Sequence, residues 1–238
     1  MPARRVSVVI PLYRQVHQVP GLVAEYASAL GALPIEHEII AVLNGPDDGT
    51  AEVCKALEAD HPSFRWVSTP QAGWGRAVRL GLAEASGELL SYTNAARTTG
   101  ELLATIVGYA VALPGVVVKA SRRSRDSFGR RLGSLVYNLE CRALFDLPSF
   151  DVNGTPKAFS RDHTQLLRLQ RDDDLIDAEL LSWCRLCGYP VVEVPVVQET
   201  RRSGRSTTKV GSAVRMYRGA FALRREIRHR LIDGAGDG

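Results

Sequence analysis

No apolar run in this 238-residue sequence approaches the roughly 20 residues of a membrane-spanning helix. Met1 to Arg5 leads straight into a strand-like run, so no signal peptide is expected. Four cysteines (Cys54, Cys141, Cys184, Cys187) do not make a disulfide framework in a chain this long, so a reduced, cytoplasmic setting is expected. Cys184 and Cys187 have the spacing of half a zinc site. No second cysteine pair or nearby histidine pair accompanies them, and two ordinary helix thiols are expected. Internal repeats and low-complexity linkers are lacking. Acidic residues are scarce in one region: between Arg201 and Arg230 only Glu226 stands against many Arg and Lys, in a chain of formal net charge +4. Such an end points to an anionic partner, a phosphate or an anionic membrane surface. Nucleic acid is not expected, because no recognised binding module accompanies the basic residues.

What is present is ordinary for a globular protein, with 45% hydrophobic and 24% charged residues. Val6-Ser7-Val8-Val9-Ile10 reads as a buried parallel strand stopped by Pro11, and Glu38 to Leu43 as the next. Further strands are expected around Arg65-Trp66-Val67, at residues 87–90, 116–120 and 156–159, and at 191–197, where Pro195 predicts a sheet edge. Helical spacing covers residues 19–33, about 50–60, 75–86, 101–113, 132–144, 174–188 and 210–232. Strands alternating with helices predict a doubly wound, largely parallel sheet, whose ligands sit outside the carboxyl ends of the strands. One domain over residues 1–209 is expected, with a nucleotide side to about residue 120 and an acceptor side after it. Residues 210–238 form a basic amphipathic helix and tail. That helix suits an anionic membrane surface, a packed position on the domain, or a homodimer partner.

Gly73-Trp74-Gly75 opens a helix, where free amides bind anions. It fits neither G-x-G-x-x-G, since Val78 holds the third position, nor the P-loop pattern. Read alone, the glycines permit a tight turn.

An ordered set of pieces says more. Val8-Val9-Ile10-Pro11-Leu12-Tyr13 resembles the "VIPxYNE" opening of family 2 inverting glycosyltransferases of the GT-A fold. Val42 to Thr50 is similar to "VDDGSTDGT", Gly73 to Gly81 to "GxGxAxxxG", and Ala85 to Glu88 to "AxGD". Later pieces resemble "GSR" (Lys119 to Arg122), "DxxxGxKxF" (Asp151 to Phe159), "DxEL" (Asp177 to Leu180), "EvPV" (Glu193 to Val196) and "RxxGxS" (Arg201 to Ser206). The chain is identified as similar to dolichyl- or polyprenyl-phosphate mannosyl- and glucosyltransferases.

The resemblance implies a mostly parallel, Rossmann-like central sheet with helices on both faces. It also implies transfer of a hexose from a nucleoside-diphosphate sugar to a polyprenyl phosphate, at the inner, cytoplasmic face of a membrane. The donor would meet Pro11, Tyr13, Asn44, Gly73, Arg76, Asn94, Arg97, Arg201 and Ser206; the acceptor phosphate would meet Arg122, Arg131 and Ser134. Relatives hold a divalent Mg or Mn with Asp-x-Asp, but here the aligned residues are Asn94-Ala95-Ala96. Ala96 cannot coordinate a metal, so no metal or cofactor is assigned and Arg97 is expected to replace part of the cation's charge. Asp172-Asp173-Asp174 reads as helix-start charges. Asp151 and Asp177 are the candidate bases if the acceptor is a hydroxyl. The alternative is a catalytically inactive protein that binds a sugar nucleotide or acts as a scaffold.

Overall fold

The computed structural model describes residues 4–46, 48–122, 128–196 and 210–234; the side chains of residues 128–132, 210–216 and 231–234 fall outside that description. The chain runs β1 (Arg5–Leu12), α1 (Val19–Gly31), β2 (Glu36–Asn44), α2 (Thr50–Asp60), β3 (Phe64–Thr69), α3 (Trp74–Glu84), β4 (Leu89–Tyr92) and α4 (Gly100–Ala112). It continues through β5 (Val117–Arg122), α5 (Phe128–Phe145), β6 (Lys157–Ser160), α6 (Ile176–Cys187), β7 (Val191–Val196) and α7 (Val210–Gly234).

Local chemistry sets several of these ends. Thr99 caps α4 by accepting a hydrogen bond from the Leu102 amide. Gly188, at φ 68°, ends α6 in the left-handed conformation that glycine adopts without a Cβ penalty. Pro11 does not stop β1, as the sequence reading expected. Val9 directs its carbonyl toward the β4 side, where it accepts from Thr93, so the missing Pro11 N–H falls on that side beyond the last β1–β4 pair (Val9–Tyr92). The fourth strand also lies later than expected, so that Ser91 and Tyr92 are paired strand residues.

The seven strands form one sheet in the order β3-β2-β1-β4-β6-β5-β7. Only β6 runs antiparallel to its neighbours. The Pro-bearing β7 lies at the edge, as its sequence predicts. Alternate residues of the parallel strands feed two cores. Val8, Ile10, Ile39 and Ala41 pack toward α1 and α4, whereas Val9, Ile40, Leu90 and Tyr92 pack toward α3 and α6. Strand order reverses between β1 and β4, which makes the loops after Leu12 and after Tyr92 the sides of the switch-point crevice.

The last helix is packed on the domain. Leu223 and Ile227 join the α3–α6 core, and Gly219 lies so close to Leu175 that a Cβ there would come within 2.4 Å of Leu175 Cδ1. Phe221 is 61% exposed beside Arg218 and Arg225. No helix among the described residues is long and apolar enough to cross a membrane.

Candidate functional site

Two clefts lie along the carboxyl edge of the sheet. The first, of about 310 Å³, opens at the ends of β1, β2 and β3 and is lined by Leu12, Arg14, Asn44, Asp48, Trp66 and Thr69 among others. Asn44 is buried there, and its carboxamide is partly committed. Nδ2 donates to the Leu12 carbonyl at 2.9 Å and Oδ1 accepts from the Gly73 amide at 3.2 Å, so one side chain joins β1, β2 and the start of α3. One N–H and one acceptor position remain for a ligand. Tyr13 covers Gly45, which has φ +111°; a Cβ at that glycine would meet the ring at 2.8 Å. The Arg14 guanidinium stacks 5.3 Å from the Tyr13 ring centre. Pro11 is buried in the body of β1 rather than in the loop.

The structure gives Gly73 and Gly75 a reason that neither the turn nor the anion reading supplies. A Cβ at Gly75 would fall 2.3 Å from the Arg171 carbonyl, and one at Gly73 2.6 Å from that of Asp172. The glycines let the 171–173 backbone press against the first turn of α3. Side chains reinforce the contact: Asp172 takes Arg76 Nη2 at 2.5 Å and Arg79 Nη1 at 2.7 Å. Asp172 is thus a cross-link, and Asp173 accepts from the Leu175 amide just ahead of α6 while pairing with Arg171.

At the switch point, Thr93 to Thr99 folds into a tight turn after β4. Asn94 Oδ1 accepts from the Ala96 amide at 3.1 Å, and the Asn94 carbonyl accepts from Arg97 and Thr98. Tyr26 and Thr93 hold Thr98 from behind. Ala95 and Ala96 are buried. A divalent cation needs several oxygen ligands at about 2.0–2.6 Å. This turn offers two buried methyl groups and a carboxamide oxygen already bound to its own backbone, and no group of three His, Cys, Asp or Glu side chains among the described residues could hold a metal. The residues do not fit the cation.

The second cleft, about 270 Å³, lies between the start of α4 and the ends of β5 and β7, and both Arg97 and Arg122 line it. The sequence reading separated these two arginines, one for the donor and one for the acceptor; the fold brings them to one cleft. Arg122 is gripped by Asp151 through a two-pronged pair, Nε to Oδ2 at 2.6 Å and Nη2 to Oδ1 at 2.8 Å, and the Arg122 amide donates to the same carboxylate. Ser134 lies on α5, where it accepts from Asn138 at 3.4 Å. The Arg131 side chain, Arg201 and Ser206 lie outside the described residues.

Asp177 is 3% exposed and held between Lys157 Nζ at 2.5 Å and the Tyr92 hydroxyl at 2.6 Å. The sequence reading missed the row this belongs to. Tyr92, Lys157, Lys119 and Glu193 stand opposite one another across β4, β6, β5 and β7. Both lysines are fully buried. Lys119 donates to Glu193 at 2.9 Å and to the Asp151 carbonyl at 2.6 Å. Burial, then the neighbouring Lys157, push its pKa down to about 8, against the pull of Glu193. One signal was available: a Lys inside Val-Val-Val-Lys-Ala and a Glu inside Val-Val-Glu-Val, charges at interior positions of apolar runs.

Residues 7–166 match the model of the Glycosyl transferase family 2. The chain is 28% identical over 141 residues, 58% of its own length and 43% of the relative's, to Undecaprenyl-phosphate 4-deoxy-4-formamido-L-arabinose transferase of Salmonella choleraesuis (strain SC-B67). It therefore spans less than half the length of the curated relatives it matches. Among solved structures it resembles glucosyl-3-phosphoglycerate synthase from Mycobacterium tuberculosis in complex with phosphoglyceric acid, with a TM-score of 0.69 at 20% identity, covering 93% of this chain and 79% of that one. A complex of the same synthase with Mn2+, uridine-diphosphate and glucosyl-3-phosphoglycerate gives 0.68 at 20% identity, covering 92% and 78%. At these identities the likeness shows the fold, which is GT-A.

Proposed function

The chain belongs to glycosyl transferase family 2, and from that premise we propose that it moves a hexose from a nucleoside-diphosphate sugar to a polyprenyl phosphate. The observation that carries the reading is the meeting of Arg97 and Arg122 on one cleft beside the switch point. Two guanidiniums there suit a site in which the donor's diphosphate and the acceptor's phosphate approach each other. The donor's base takes the first cleft, against Tyr13, Arg14 and the unused hydrogen-bonding positions of Asn44. Gly73 supports that cleft through its amide hydrogen bond to Asn44, whereas Arg76 is committed to Asp172.

In the reaction, an acceptor phosphate oxygen attacks the anomeric carbon from the face opposite the diphosphate. The new C–O bond forms as the bond to the diphosphate breaks, and the nucleoside diphosphate leaves with the electron pair. The configuration inverts. A phosphate monoester is already ionised near neutral pH, so no general base is required. Asp151 and Asp177 are then positioning groups, consistent with their ion pairs to Arg122 and Lys157.

Charge on the leaving diphosphate must be met without the cation. A metal would supply several kcal/mol, and one hydrogen bond from Arg97 about 1.5–3. The rest falls to Arg201, Arg202, Arg205 and Lys209, with Ser206, in the basic segment before α7. Exposed Leu135 and Leu139 on α5, and Phe150 after it, favour a lipid acceptor and a membrane-surface location.

The test is calorimetry with GDP- and UDP-sugars, followed by a product assay with polyprenyl phosphate in excess EDTA. Turnover is expected. Strong inhibition reversed by magnesium would remove the metal-free part of the proposal. Buried Ala95 and Ala96 favour a second reading, an inactive sugar-nucleotide-binding protein. Binding without turnover across a broad acceptor panel would select it.

A further inference from the structure

Two fully buried lysines on adjacent strands are expensive, because each charge leaves water and they repel each other. An apolar pair would hold β5 to β6 at less cost. What the charges reach is therefore informative. From Lys157 the path leads to Asp177 on α6 and Tyr92 on β4, and stays inside the core. From Lys119 it leads outward. Lys119 and Glu193 together grip the 149–151 segment: Lys119 donates to the Asp151 carbonyl, while Glu193 accepts from the Ser149 hydroxyl and from the Phe150 amide at 3.2 Å. The same segment presents the Asp151 carboxylate that fixes Arg122 in the second cleft.

We infer that Lys119 and Glu193 are positioning residues that set how Arg122 grips an anion in the second cleft, acting through the 149–151 segment. The inference rests on the reading above, in which that anion is the acceptor phosphate. Arg122 is held on one side by Asp151, so its remaining donors face whatever the position of Asp151 allows. That position is set by the Lys119–Glu193 clamp. The charged groups facing Lys119 are Lys157 from β6, Glu193 from β7 and Asp151 from the segment itself, with Asp177 behind Lys157. Above about pH 8 Lys119 gives up its proton, the pair with Glu193 loses its cation, and the clamp on the segment slackens.

The experiment measures the affinity of a short-chain polyprenyl phosphate between about pH 7.5 and 9.5, a range above the second phosphate ionisation near 6. Lys119→Met alone strands Glu193, so the variant used is the double replacement Lys119→Met with Glu193→Gln, which removes both charges. Wild type should bind about tenfold more weakly at the top of the range, a change the size of one hydrogen bond to a charged group. The double variant should bind weakly throughout, with no dependence on pH, while its nucleoside-diphosphate affinity stays within about twofold of wild type. A flat wild-type profile overturns the inference whether or not the variant folds. A double variant with wild-type affinity and profile overturns it too. No binding of the polyprenyl phosphate by wild type at any pH overturns the inference together with the reading beneath it.

Discussion

Lys157 Nζ lies 2.5 Å from the Asp177 carboxylate, and the two side chains are 0% and 4% exposed. With the Tyr92 hydroxyl on the same carboxylate, this pair ties α6 to the middle of the sheet. Asp177→Asn leaves Lys157 buried without a counter-charge and is expected to cost about 3–5 kcal/mol. The double replacement Asp177→Asn with Lys157→Met should recover most of that. Thermal unfolding separates this from base chemistry: an Asp177→Asn protein with an unchanged melting temperature and no activity would reinstate Asp177 as a base.

Gly75 tests why the "GxG" exists. Alanine there gains about 1 kcal/mol of helix propensity but drives a Cβ to 2.3 Å from the Arg171 carbonyl and 2.7 Å from that of Asp173. The clash should win, with a net loss of about 1–3 kcal/mol by denaturant titration. A Gly75→Ala chain as stable as wild type would mean that the 171–173 segment does not press on α3.

Leu135 and Leu139 are 64% and 63% exposed, one helical turn apart on α5. Replacing both by Asp should change stability by no more than about 0.5 kcal/mol, because no described residue covers them. Flotation with anionic vesicles should fall sharply. Exposed Arg218, Arg225 and Arg228 on α7 predict that wild-type flotation also weakens at high salt. Equal flotation of wild type and variant would remove α5 from the membrane contact.

Acid should unfold the protein partly through Glu38. Burial raises its pKa, but hydrogen bonds from the Ser7 hydroxyl, from Ser86 through side chain and backbone, and from Arg65 outweigh that and hold it at about 2. The folded value lies below the unfolded one, so the stabilisation is complete above the ordinary carboxylate range and is lost as pH falls toward 2. It amounts to roughly 3 kcal/mol. In Glu38→Gln the difference from wild type should be full near neutrality and shrink between about pH 4.5 and 2. A difference constant over that interval would contradict the assignment.

The alternation of strands and helices, the edge position of β7 and the carboxyl-edge location of the clefts were all legible in the sequence. Each follows from local periodicity, a proline, or a topological rule. The motifs of the second half were legible only as a list. That Asp151 closes on Arg122, Lys157 on Asp177 and Lys119 on Glu193 depends on residues 20 to 74 positions apart meeting. No local pattern encodes such pairing. The same limit explains the glycines before α3, whose reason is a backbone segment almost a hundred residues later.

The stretch from Ser91 to Thr99 divides along this line. The sequence by itself determined that residue 96 is a methyl group and cannot hold a metal, because side-chain chemistry needs no fold to be known. Only the tertiary structure decided that Ala96 faces inward, that the Asn94 oxygen is taken by the turn, and that Arg97 shares a cleft with Arg122. Direction and company are properties of packing, and packing is settled between segments rather than within them.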